Sequence, residues 1–171
     1  QSLIRAAELR SVSSEYSRYV TATQSFRDKY FALPGDMNNA QSFWGVAHAT
    51  PATCVTTASA TSATCNGKSD GIINLSTGSN ESFRFWQQLA NAGLIEGTYD
   101  GIAHGSSSYS ATLANTPRSR ISNALWHTVN WGTEAGTPTR FALTYDNVLT
   151  IGGVTVDDDP KASIMKPEEL W

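Results

Sequence analysis

Leu9, Val12, Tyr16, Tyr19, Thr23, Phe26 and Tyr30 recur at alternating steps of three and four, the spacing that aligns apolar side chains along one seam of a helix. Thr23 is the weak member. The spacing predicts a single helix from about Ser2 to Phe31, and at ~1.5 Å per residue such a rod is roughly 45 Å long. A rod of that length outreaches a small domain. It halts at Leu33-Pro34-Gly35-Asp36. The far face carries Arg5, Glu8, Arg10, Ser14, Glu15, Ser17 and Arg18, with Arg5 to Glu8 and Glu15 to Arg18 spaced so that opposite charges can meet. The plain reading of that face is a solvated surface. The sharper reading is that part of the rod packs against other copies of itself, with Glu15 and Arg18 as candidate subunit contacts.

The 171 residues suffice for one domain with a real core and are too few for two comfortable ones. A single domain over 1–171 is therefore expected, with residues 1–31 as the rod and 32–171 as a globular head. The net charge is −3 and no segment collects Lys and Arg, which argues against a nucleic-acid partner. No apolar run reaches eighteen residues, so nothing in these residues spans a membrane as a helix. Gln1 already stands in helical pattern with Leu3 and Ile4. A targeting or anchoring segment upstream is the expectation.

Cys54 and Cys65 lie close together among small polar residues in TPATCVTTASATSATCNG, surroundings unlike the apolar pockets of buried free thiols. A local disulfide is expected, and with it an oxidising compartment. Two exposed free thiols are the alternative; zinc is weaker, because the spacing and the lack of an adjacent His match no zinc motif. After the Pro34-Gly35 turn, Asp36 is placed to cap a short helix through Trp44, with Gly45 ending it and Phe43 and Trp44 folding back toward the rod. The Ala/Thr/Ser stretch from Ala47 to Asn66 has no periodicity and reads as a mobile loop pinned only by its disulfide.

A second helix follows in SNESFRFWQQLANAGLI, capped by Ser79 or Asn80, with Glu81 at its positive end and Gly93 as its stop. Trp86, Leu89 and Ala90 mark a buried stripe that Phe83 and Gly93 continue. Farther on, the period becomes alternating: Leu125, Val129 and Trp131 share a face with His127 between them, and Phe141, Leu143 and Tyr145 share the next. With two-residue turns at Asp146-Asn147 and Gly152-Gly153, this predicts a meander of strands near 125–131, 139–145, 148–151 and 154–156. The fold class expected is α+β: a long N-terminal helix packed on a C-terminal antiparallel sheet, with an irregular loop region and a short second helix between.

Catalytic patterns are weak. His48, His104 and His127 lie in separate segments, and no HExxH, GxSxG or phosphate-loop motif is present. Asp36 and Glu81 could be imagined as an acid and base, but both stand at helix starts, where a carboxylate has a capping task. No enzyme is expected. NGKSDGII, from Asn66 to Ile73, resembles an oxygen-rich calcium loop, but Lys68 occupies a ligand position and Thr77 stands where a closing Glu is needed. It reads as a turn into a short strand. Of the five tryptophans, Trp86 and Trp131 fall on apolar faces, while Trp44, Trp126 and Trp171 are free to form a sugar-stacking surface.

Taken together, FRDKYFALPGDMNNA at the end of a heptad helix, then FWG, DGII, ESFRFWQQLANAGLI and SRISNALWHTVNW, resemble the ectodomain of type IV pilin-like proteins, the pilins and type II secretion pseudopilins. The likeness is strongest from Ser25 to Gly45 and from Asp70 to Gly97. It implies an upstream apolar half-helix bearing the prepilin cleavage and methylation signal, held in the inner membrane before assembly, with the head in the periplasm. It further implies protein transport or surface attachment by a filament, either a periplasmic pseudopilus or a cell-surface pilus. Other copies of the chain or related pilins would be the partners. Major pseudopilins use calcium in a C-terminal loop, which makes Asp157, Asp158 and Asp159 the candidate metal ligands, with no other cofactor expected. An adhesive or tip pilin is the runner-up reading and a secreted hydrolase the third.

Overall fold

The computed structural model describes residues 2–75, 79–104, 110–130, 146–154 and 160–162. Its elements run α1 (Ser2–Tyr30), α2 (Gln41–Trp44), α3 (Pro51–Cys54), α4 (Glu81–Asn91), β1 (Ala124–Asn130), β2 (Asn147–Val154) and β3 (Pro160–Ala162). The fold is mixed α+β, with an antiparallel sheet ordered β1-β2-β3 among the described residues.

α1 forms as a single 29-residue helix, and its buried face begins partway along. Val12, Tyr19, Phe26 and Tyr30 pack into the main core, as the seam predicts. Leu9 and Tyr16 do not; both are exposed. The residues that complete the seam are Glu15 and Ala22, both buried. Val12, Tyr19 and Phe26 recur every seven residues, and such a row can be widened on either side, by Tyr16 and Thr23 or by Glu15 and Ala22. The head takes the second side because Glu15 finds three donors there. Glu15 is therefore corrected from a solvated charge to a buried one. Arg18 does remain exposed, its Nη2 donating to Tyr19 Oη at 3.2 Å.

The sheet corrects the expected meander. β1 pairs directly with β2, His127 standing opposite Thr150 and Asn130 opposite Asn147. The Gly152-Gly153 pair forms no turn, since both residues continue β2 opposite Leu125 and Ala124. Both glycines are buried. Nor is Asn147 a turn residue; it opens β2, and its side chain accepts from Ile73 N and donates to Gly71 O. The predicted strand at 139–145, together with Trp131, lies outside the described residues.

All of β1 is buried. Leu125, His127 and Val129 share a face, with Leu125 and Val129 in one cluster with Phe83 and His127 against the Phe83 ring, while Trp126 points oppositely into the core with Tyr19 and Trp86. Trp126 is thus a core residue, unavailable for sugar stacking. Residues 117–119 cover the other edge of β1, with Trp126 N donating to Pro117 O and Ser119 N to Ala124 O. A strand flanked on both edges and both faces shows no alternation of burial.

α4 departs from the expected stripe in the same way, because every residue from Glu81 to Leu89 is buried. Asn80 precedes it without a side-chain cap and donates instead to Val55 O, while the Ser79 side chain bonds the Glu81 carboxylate in its first turn. Gly93, at φ +72, follows its end as expected but is exposed. The 47–66 stretch is firmly held, contrary to expectation. Arg84 Nη2 donates to Cys54 O and Thr57 O at 3.0 and 2.8 Å, Gln87 Nε2 to Ala63 O, Gln88 Nε2 to Cys65 O and Asn91 Nδ2 to Ser62 O. Beyond its own turn bonds, the loop satisfies carbonyls on the polar side chains of a helix. Cys54 and Cys65 are joined by a disulfide.

Candidate functional site

Two features could carry function: the surface of α1 and a knot of carboxylates where α1 hands over to the head. Glu15 anchors the rod. Its Oε2 accepts from Ser119 Oγ and Trp126 Nε1, both at 2.7 Å, and its Oε1 from Arg120 N at 2.8 Å. Three donors compensate for placing a carboxylate where only 7% of its surface remains exposed. Beyond Val12, toward the N-terminus, no described residue of α1 is fully buried. Leu3 and Ile4 are 85% and 68% exposed, and the side chain of Arg5 lies outside the described set.

At its other end the rod stops as the sequence predicts. Gly35 adopts φ +84, and a Cβ there would run into the Glu81 carbonyl, so only glycine fits this crossing. Its N–H donates to Gln88 Oε1 at 2.7 Å. Beyond the turn, Phe43 and Trp44 fold back onto Tyr30, and Gly45 ends α2 at φ +90.

Asp36 does not cap α2, which starts only at Gln41 behind Ala40 and has no side-chain cap. Its carboxylate reaches across the fold to accept from Asp70 N and Gly71 N at 3.0 and 2.9 Å. Glu81 does the same for Lys68 N and Asn74 N at 3.0 and 2.9 Å. Together the two side chains fold the 66–75 segment, which is a loop and not the expected strand. Burial pushes both carboxyls above their ordinary range, opposed by the donated N–H groups. Mutual repulsion between Asp36 and Glu81 adds to the rise at Glu81.

Asp36, Asp70 and Glu81 bring carboxylate oxygens within 4.8 Å of one another, the described group with the composition to hold a hard cation. What they demonstrably hold is backbone. The sequence offers Asp36 and Glu81 as a pair of helix-start acids but gives no sign that Asp70 joins them, because 34 residues separate Asp36 from Asp70. The predicted ligands Asp157, Asp158 and Asp159 lie outside the described residues.

The three histidines occupy different settings. His48 Nδ1 accepts from Thr50 N in an exposed loop, His104 Nε2 lies 2.5 Å from Asp100 Oδ2, and His127 is buried in β1. Arg84, buried among carbonyls, has its pKa lowered to about 10 by desolvation and remains a cation at neutral pH.

The chain matches no protein-family profile, no curated protein and no solved structure. The disulfide points to an oxidising, extracytoplasmic compartment. Among the described residues, no helix is long and apolar enough to cross a membrane.

Proposed function

We propose that the chain is the head and lower spine of a type IV pilin-like filament subunit, working by polymerisation without turnover of substrate. The observation that carries this reading is the asymmetry of α1. About two-thirds of it, from Val12 onward, is docked along one side on the head, while Leu3, Ile4 and Leu9 leave apolar side chains in solvent. An exposed apolar surface on a rigid rod is a surface for association. When copies associate by different patches, the contact propagates into a filament. In this reading the subunit is held in the inner membrane, its head in the periplasm, until it enters a pseudopilus or a surface pilus.

Charge substitution at Ile4 and Leu9 tests it. Expressed as full-length protein in the native host, Ile4→Glu with Leu9→Glu should abolish surface filaments or cargo secretion, while the purified variant keeps its melting temperature. Normal assembly of that variant would overturn the reading.

A further inference from the structure

Phe31 is out of place by the ordinary rules of folding. It occupies the position just past α1, at φ +55 with its N–H donating to Arg27 O, where helices commonly end in glycine because a side chain there is strained. Its ring is 93% exposed. The neighbouring rings of Phe26, Tyr30, Phe43 and Trp44 pack on one another, and Phe31 joins none of those pairs. Among the described residues no ring contact compensates for a strained, solvated phenyl group, and strain of this kind points to a task.

Phe31 lines an open surface groove of about 520 Å³, within the size range of ligand sites. Gln24, Arg27, Asp28 and Phe31 fall at helical spacing along the end of α1 and line it together with Leu33, Asp36 and Ser69. An anion entering there meets the Asp28 carboxylate; a cation meets Arg27. An apolar side chain would strip water from Arg27 and Asp28 without replacing it. A neutral ligand with many hydroxyls and one apolar face suits all of these groups. The planar ends of Gln24, Arg27 and Asp28 present paired donors or acceptors for adjacent hydroxyls, and the Phe31 ring offers a surface for C–H groups.

We infer that this groove is a saccharide-binding site in which Phe31 stacks on a pyranose ring. The inference is independent of the filament reading, since binding is a property of the single chain.

Amide NMR spectra of the 171-residue chain, titrated separately with glucose, galactose, mannose and N-acetylglucosamine, test it. At least one sugar should produce saturable shifts centred on residues 24–36 and 69–71. Phe31→Gly should weaken that binding at least about tenfold, yet leave the melting temperature unchanged or raised, because glycine takes this backbone without strain. Phe31→Trp should keep it. The site is refuted if none of the four sugars gives a saturable shift, or if Phe31→Gly binds as the parent does. It is equally refuted if the Phe31 signals move with protein concentration in the absence of sugar, which would make a second copy the occupant.

Discussion

α1 and α4 differ in almost every respect that a helix can. α1 has 29 residues and leaves Leu3 and Ile4 in solvent, whereas α4 has 11 and buries even Arg84, Gln87 and Gln88. Hydrophobicity alone would not assign them those roles. α4 is central because its polar side chains satisfy carbonyls of a long loop beyond that loop's own turn bonds, while its Phe83, Phe85, Trp86 and Leu89 supply the core. α1 is peripheral because only one face of it, from Val12 onward, meets that core. The head is organised around the helix that bonds most backbone, and the longest helix is attached to it along one side.

The contrast breaks most sharply at Glu15 and Arg18, three residues apart on α1. Glu15→Lys places a cation against Ser119 Oγ, Arg120 N and Trp126 Nε1, all donors, and should cost about 3–5 kcal/mol. Arg18→Glu, on the exposed side, should cost under about 1 kcal/mol. Urea unfolding of both variants measures the difference. Equal small losses would mean that Glu15 is not an anchor.

Arg84 is the corresponding test of α4. Arg84→Leu leaves the Thr57 carbonyl without its donor and the Cys54 carbonyl with Thr57 N alone, and should destabilise by about 2–3 kcal/mol, with amide exchange across 51–64 accelerating before exchange in β1. Uniform acceleration everywhere would show that the loop has no separate dependence on α4.

Removing the disulfide acts on the same loop through the unfolded chain. Cys54→Ala with Cys65→Ala opens a closure of 11 residues and should cost about 2–3 kcal/mol. Because Arg84, Gln87 and Gln88 still hold the loop, the folded variant should keep the parent's amide spectrum outside 47–66.

The smallest effect is on pH dependence. Asp36 and Glu81 have folded pKa values above the unfolded ones, so the folded state binds protons more tightly. Their contribution to stability is fully present below the ordinary carboxylate range near ~4 and is lost as pH rises through their raised values. Carboxyl carbon NMR should give midpoints for both above that range. Midpoints at or below it would show that the donated N–H groups outweigh burial.

Much of this was legible in the residues, and what was not has identifiable causes. The rod, its stop at Gly35, the α4 segment and the disulfide all rest on local signals of spacing, turn chemistry and composition. The seam was half legible: Val12, Tyr19, Phe26 and Tyr30 announce themselves by apolarity, but Glu15 belongs to the buried face only because Ser119, Arg120 and Trp126 bring donors from more than a hundred residues away. Asp36 looks like a cap locally and is claimed by residues 70 and 71 instead. Gly152-Gly153 looks like a turn and is a strand, because in a buried sheet glycine can signal close packing as well as reversal. In each case a distant partner overrode a local preference.

The central claim is that the exposed N-terminal end of α1 faces other copies of the same chain. A photo-cross-linking residue at position 4 of the full-length protein in its native host tests this most directly, with position 18 as a comparison on the docked part. The account predicts a covalent dimer of the chain from position 4, lost when assembly is blocked. Cross-linking from position 4 solely to the chain's own head, or to no copy of the chain, would contradict it.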